Sequence, residues 1–162
     1  MNRPLRPAAR RIQELLTERG YRCEVIEFAE TTRSSADAAA AVGCEVAQIA
    51  KSLVFRAKPS GRAVMAIASG VNRVDESAIA AALGEALAKA DADFVRERTG
   101  FAIGGVAPIG HATPLVTFID EDLLRHDKIW AAAGTPFAVF SLTPAQLVEM
   151  TQGRVLKLAA RR

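Results

Sequence analysis

Residues 51–68 read KSLVFRAKPSGRAVMAIA. Two apolar runs, Lys51 to Arg56 and Arg62 to Ala68, flank the turn Lys58-Pro59-Ser60-Gly61, a pattern that predicts a β-hairpin. A hairpin pairs its strands antiparallel, while the rest of the chain alternates helical and extended stretches. An all-parallel doubly wound sheet therefore does not fit. The expected fold is α/β, with a mixed, curved sheet and surrounding helices.

Upstream, Ile12, Leu15 and Leu16 lie at helical spacing within Pro7 to Arg19, and Gly20 offers a left-handed stop. Tyr21, Cys23 and Val25 alternate with charged residues and run on to Phe28, which predicts a half-buried strand. Ser34 can cap an alanine-rich helix that ends at Gly43, with Asp37 placed to return the bond. Downstream, Asp75 to Gly84 and Asp91 or Asp93 to Gly100 predict two more helices. Leu115 to Ile119, Ile129 to Ala133 and Phe137 to Leu142 predict strands. Thr143-Pro144 opens a last helix, and Arg154 to Leu158 a closing strand.

The chain has 162 residues, 50% of them hydrophobic and 24% charged, which excludes low-hydrophobicity disorder and suits one domain spanning residues 1–162. No apolar run approaches the roughly 20 residues that cross a bilayer. The N-terminal arginines are followed by Gln13, Glu14 and Glu18 and not by the apolar run of a signal peptide. Cys23 and Cys44 are then expected as reduced, buried thiols of a cytoplasmic protein. A net charge of +3 permits a polyanionic partner without establishing one. Aromatic residues make up only 6%, which disfavours a stacking surface for single-stranded nucleic acid.

Two features bear on chemistry. The segment from Thr99 to His111 holds Gly100, Gly104, Gly105, Gly110 and Pro108 between a helix and a strand. Such a loop either presents backbone N–H groups as an anion nest or oxyanion hole, or is an ordinary connection that needs turn residues. Lys51 opens an apolar strand, so its ammonium is either aimed into a cleft at a phosphate or carbonyl oxygen, or carried to solvent at a strand end. The two histidines, His111 and His126, form no ligand spacing with each other or with a cysteine pair, and no metal site is expected. No Gly-x-Ser-x-Gly elbow and no phosphate-binding glycine motif are present.

Taken as an ordered set, several segments resemble the YbaK/prolyl-tRNA synthetase-associated editing domain family. They are Thr32 to Ala39 before Gly43, Gln48 to Phe55, Asn72-Arg73-Val74-Asp75, Thr99 to Gly110, and Leu142-x-Pro144-x-x-Leu147. The resemblance covers roughly residues 8–158. It implies a barrel-like mixed sheet around a cleft, and hydrolysis of mischarged aminoacyl-tRNA by free-standing proteins without a metal or other cofactor. It further implies that Lys51 and the loop Gly104, Gly105, Val106, Ala107 and Pro108 face one another across the cleft. A hydroxyl of the terminal adenosine would help to position the water.

Substrate contacts are then expected from Thr32, Arg33, Ser52, Ser69, Ala138 and Val139. Ser52 stands where the alanine-editing subgroup has asparagine, and the apolar run Phe137 to Phe140 replaces the His or Asp of several relatives. The resemblance implies as substrate the tRNA for proline carrying a small amino acid, and as partner an aminoacyl-tRNA synthetase, with no membrane. The rival expectations are a non-catalytic nucleic-acid or synthetase-binding module of the same fold, and a hydrolase of some other small ester or thioester.

Overall fold

The 51–68 hairpin is the middle of the sheet. In the computed structural model, which describes residues 4–32 and 34–160, the chain runs α1 (Pro7–Glu18), β1 (Val25–Glu27), α2 (Ser35–Val42), β2 (Ile49–Lys58) and β3 (Ala63–Ser69). It continues with α3 (Glu76–Leu83), β4 (Ala86–Lys89), α4 (Ala92–Thr99), β5 (Val116–Asp120), β6 (Ile129–Ala132), β7 (Ala138–Leu142), α5 (Pro144–Thr151) and β8 (Arg154–Leu156). Short 3-10 turns precede β2 and follow β5.

The strands form one mixed sheet in the order β1-β7-β6-β2-β3-β5-β8, with β4 added to the far end of β2. β2 and β3 pair antiparallel from Ala50↔Ser69 to Arg56↔Ala63. Their outer neighbours β6 and β5 run parallel to them. Gly61, at φ +77°, takes the left-handed conformation that closes the hairpin turn, and its N–H donates to the Ala57 carbonyl at 2.8 Å.

Every residue of β3 is buried because both faces of the sheet are covered. Met65 and Ile67 pack on one side with Ile12 and Leu16 of α1, Phe140 of β7 and Leu147 of α5. Val64 and Ala66 pack on the other with Ile79, Phe118 and Leu158. A smaller cluster, Ala38, Ala39, Ile49, Trp130 and Val139, seats α2 beside the start of β2. No helix among the described residues is long and apolar enough to cross a membrane.

Three local expectations are corrected. The strand expected over 21–28 pairs only at Val25–Glu27, because the Gln13 side chain takes the Cys23 carbonyl at 3.0 Å and the Val25 N–H at 2.8 Å in place of a neighbouring strand. Ser34 caps α2 by accepting the Asp37 N–H at 3.0 Å, but Asp37 does not return the bond among the described residues. Cys44 is only half-buried, whereas Cys23 is buried, and both thiols are free. Strand β4 was not expected at all. Its Ala-Leu-Ala-Lys sequence has weak strand preference and is held by pairing with residues 55–58 of β2.

Candidate active site in a two-lobed cleft

Where β2 leaves the parallel partner β6, its residues Lys51, Ser52 and Leu53 border a cleft that the glycine-rich loop also borders. Together with Ile103, Gly104 and Val106 they line two adjoining hollows, of about 420 and 380 Å³. These are two lobes of one cleft with a shared waist. The first lobe is completed by Thr32, Ser35 and Ala38 beside α2, by Gly70, and by an apolar wall of Trp130, Ala131, Ala132 and Val139. The second is completed by Val54, Phe55, Arg73, Val74, Glu76, Ala90 and Val95.

Register explains how a lysine comes to stand here. Lys51 is opposite Ala68, and opposed residues put their side chains on the same face. Two residues beyond the Ala66↔Phe118 pair, that face reaches Asp120 at the end of β5. Burial lowers the Lys51 pKa from the ordinary lysine value, and the Asp120 charge acts in the opposite direction.

Asp120 is wholly buried. Its Oδ2 accepts the Ser69 N–H at 3.0 Å and the Asn72 Nδ2–H at 2.8 Å, and its Oδ1 accepts the Asp122 N–H at 2.9 Å. It thus caps the following 3-10 turn, as an acidic strand end is expected to do, and also pins the Ser69–Asn72 turn that carries Gly70. Gly70 must be glycine, since a β-carbon there would lie 2.5 Å from the Val46 carbonyl oxygen and 2.8 Å from the Ser35 β-carbon.

The loop that shares these hollows with Lys51 is not a uniform row of donors. The Gly105 N–H donates to Ala102 O at 2.9 Å, and Pro108 has none to give. The N–H groups of Gly104, Val106 and Ala107 have no acceptor among the described residues, although Val106 and Ala107 are buried. Buried amides left without a partner are rare in folded chains, and these lie in the loop that lines the cleft. Gly104, at φ +88°, turns the chain so that Gly105 can back onto the β6–β7 connection. Behind the loop, His111 Nε2 stands 2.7 Å from the Ala107 carbonyl oxygen, and the imidazole packs edge-on to Phe101 with ring centroids 6.3 Å apart. Burial lowers the His111 pKa, and the Ala107 contact opposes that shift.

Of the residues singled out from sequence, Lys51, Ser52, Thr32, Gly104, Val106 and Val139 line the cleft. Gly105 and Ala107 are buried just behind it. Pro108 lies with His111 and Arg19 in a separate groove on the other side of the loop. Ala138 is enclosed in the main core, and the Ser69 hydroxyl donates to Ala47 O at 2.8 Å, away from the lining. Thr32 Oγ1 is engaged too, donating to the Pro136 carbonyl at 3.1 Å. Arg33 lies outside the described residues. Asp120, Asn72 and His111, which position the cleft from behind, were not selected as site residues from the sequence. Their local signals were an ordinary strand end, a turn and a lone histidine.

This sheet, with a cleft lined by a β2 lysine and a glycine-rich loop, defines an editing-domain architecture. The model of the aminoacyl-tRNA editing domain matches residues 29–150, and the chain belongs to that family. It is 30% identical over 132 residues to the uncharacterized protein YwhH of Bacillus subtilis (strain 168), covering 82% of this chain and 83% of that one. Among solved structures, that of a proposed trans-editing enzyme for prolyl-tRNA synthetase is 46% identical, with a TM-score of 0.92 over 98% of this chain and 100% of the other. The structure of the hypothetical protein APE2540 is 27% identical, with a TM-score of 0.85 over 92% and 99% of the two chains.

Proposed function

We propose that the protein acts as one free-standing domain, a cytoplasmic aminoacyl-tRNA deacylase that clears mischarged tRNA, that for proline being the expected carrier. The observation that carries this reading is that Lys51 and the residues of two partnerless loop amides, Gly104 and Val106, bound the same cleft. In the proposed reaction, water adds to the ester carbonyl carbon and the C–O bond to the terminal ribose then breaks, giving a free amino acid and a tRNA hydroxyl. Negative charge grows on the carbonyl oxygen as the water adds. The N–H groups of Gly104 and Val106 are the candidate donors to it, and one well-placed donor contributes about 3 kcal/mol.

Lys51 is proposed to hold a phosphate of the terminal adenosine, a task suited to a compact, mobile cation. A hydroxyl of that adenosine is proposed to position the water, since among the described residues no histidine or carboxylate lines the waist. Fixed loop donors are proposed to supply the charge stabilisation at the carbonyl oxygen, so the reaction is proposed to need no metal ion. The acyl group is assigned to the first lobe, where Val139 and Trp130 favour a small side chain.

A panel of radiolabelled aminoacyl-tRNAs tests this. The wild type is expected to release small amino acids at a rate unchanged by EDTA, and Lys51→Ala to lose activity by at least 100-fold. Turnover of none of the panel would favour a binding module that has kept the fold. Turnover of free aminoacyl esters alone would favour a hydrolase of another small ester.

A further inference from the structure

We infer that Arg56, Lys58, Lys89 and Arg98, two of them set against the Phe94 ring, form the docking surface for the phosphates of the RNA strand that enters the cleft. This rests on the deacylase reading and adds where the nucleic acid lies.

The cations begin where the second lobe ends. Phe55, Ala90 and Val95 line that lobe, and Arg56 and Lys89 are the next residues outward on β2 and β4. Across the strand pair, Arg56 stands opposite Ala88 and Lys58 opposite Ala86, both small residues, and both cations are exposed. Lys89 lies at the sheet edge and lines the same shallow groove as Arg56 and Lys58. From α4, the Arg98 guanidinium sits 4.8 Å from the centre of the Phe94 ring, and that of Arg56 sits 5.4 Å from it. Stacking on a ring fixes a guanidinium plane while leaving its N–H edge free, the arrangement that grips phosphate oxygens in pairs.

These cations are also uncommitted. Arg6, Arg62 and Arg125 pair with Glu27, Glu85 and Asp122, whereas none of the four has a carboxylate within ion-pair distance among the described residues. Asp91, close by in sequence, turns its carboxylate to the Phe94 N–H as the cap of α4. The competing basic face is on and just after α1. There Arg11 reaches the Gly110 carbonyl, and Arg19 borders the His111 groove, with the glycine-rich loop between that groove and the cleft. Charge complementarity and continuity with the cleft both favour the β2–β4 strip.

The test uses two substrates and two groups of variants in the full chain. A fluorescent acceptor-stem hairpin RNA ending in single-stranded CCA, without an amino acid, reports binding by anisotropy across a salt series. The aminoacyl ester of adenosine, which lacks the stem, reports the chemistry. The Lys58→Ala/Lys89→Ala/Arg98→Ala variant is expected to bind the hairpin at least tenfold more weakly. Its log–log salt slope is expected to fall by about 2 to 3, close to one for each phosphate contact removed. It is expected to hydrolyse the adenosine ester at the wild-type rate, and Arg11→Ala/Arg19→Ala to change neither reading.

Hairpin binding unaffected in the triple variant, a loss carried by the α1 pair instead, or a parallel loss of adenosine-ester turnover would each overturn the assignment. If the wild type binds the hairpin through the strip but hydrolyses no acylated substrate, the docking surface stands and the deacylase reading falls.

Discussion

Gly105 lies so close to Thr135 that a β-carbon on it would stand 2.7 Å from the Thr135 carbonyl carbon and 2.8 Å from its α-carbon. The obstruction is backbone, which cannot swing aside as a side chain can. The glycine-rich loop is therefore seated on the β6–β7 connection by direct main-chain contact. Gly105→Ala is expected to push the loop toward the cleft, lowering kcat/KM at least tenfold and stability by about 1 to 3 kcal/mol. Denaturant unfolding beside the deacylation assay measures both, and Thr135→Gly in the same chain should rescue neither, because the clashing atoms remain.

Lys51 separates stability from activity. Its pKa in the folded chain lies below the ordinary value because burial disfavours the charged form. The folded state thus holds this proton less tightly than the unfolded state, so the group opposes folding wherever lysine is charged. That penalty fades only as pH rises from the folded pKa toward the unfolded one. Lys51→Met is expected to unfold at a higher denaturant concentration than the wild type while losing catalysis. Asp120 pulls the Lys51 pKa upward. Asp120→Asn is therefore expected to move the alkaline limb of the kcat/KM profile to lower pH, a shift that a purely structural role for Asp120 would not produce.

His111 gives the opposite limb. Burial lowers its pKa from the ordinary histidine value of 6.5, so between that value and the lower folded one the unfolded chain binds the extra proton. Stability is then lost as pH falls through this window and is fully present above it. His111→Phe is expected to remove that acid-side loss from the unfolding profile. It also releases the Ala107 carbonyl from its 2.7 Å contact, so kcat should fall at neutral pH with KM little changed. Equal pH dependence of unfolding in the two proteins would count against this account.

The parts of the fold that were legible in the sequence are those written in local chemistry. Ser34, Asp75, Asp91 and Thr143 each accept an N–H of the first helical turn, and Gly43, Gly84 and Gly100 each end a helix at positive φ. The turn at Gly61 set the central hairpin in the same way. What stayed hidden depends on contacts far apart in the chain. β4 exists because residues 55–58 of β2 offer it an open edge, and β1 is short because Gln13 occupies its approach. In the cleft, Lys51 and the glycine loop were visible as residues out of keeping with their surroundings. Asp120 was not, since only the fold brings Ser69 and Asn72 to its carboxylate. Ala138 and Val139, adjacent in sequence, differ because strand alternation turns one into the core and the other toward the cleft.

That alternation also decides which residue sets the size of the acyl group. Val139 packs with Trp130, Ile49 and Ala38 and lines the first lobe, whereas Ala138 is enclosed by the main core. Shortening Val139 to alanine removes two methyl groups from the wall without introducing a polar atom. The pocket should then admit a side chain one carbon longer, and a methylene in an apolar pocket is worth about 1 to 3 kcal/mol, or about 10- to 200-fold in kcat/KM. Val139→Ala is therefore expected to raise hydrolysis of tRNA carrying 2-aminobutyrate or valine relative to alanine by at least tenfold, with unfolding shifted by no more than about 2 kcal/mol. The ratio of rates for the competing esters in one reaction mixture measures this directly. An unchanged ratio would place the acyl group in the second lobe, against Val54 and Val95.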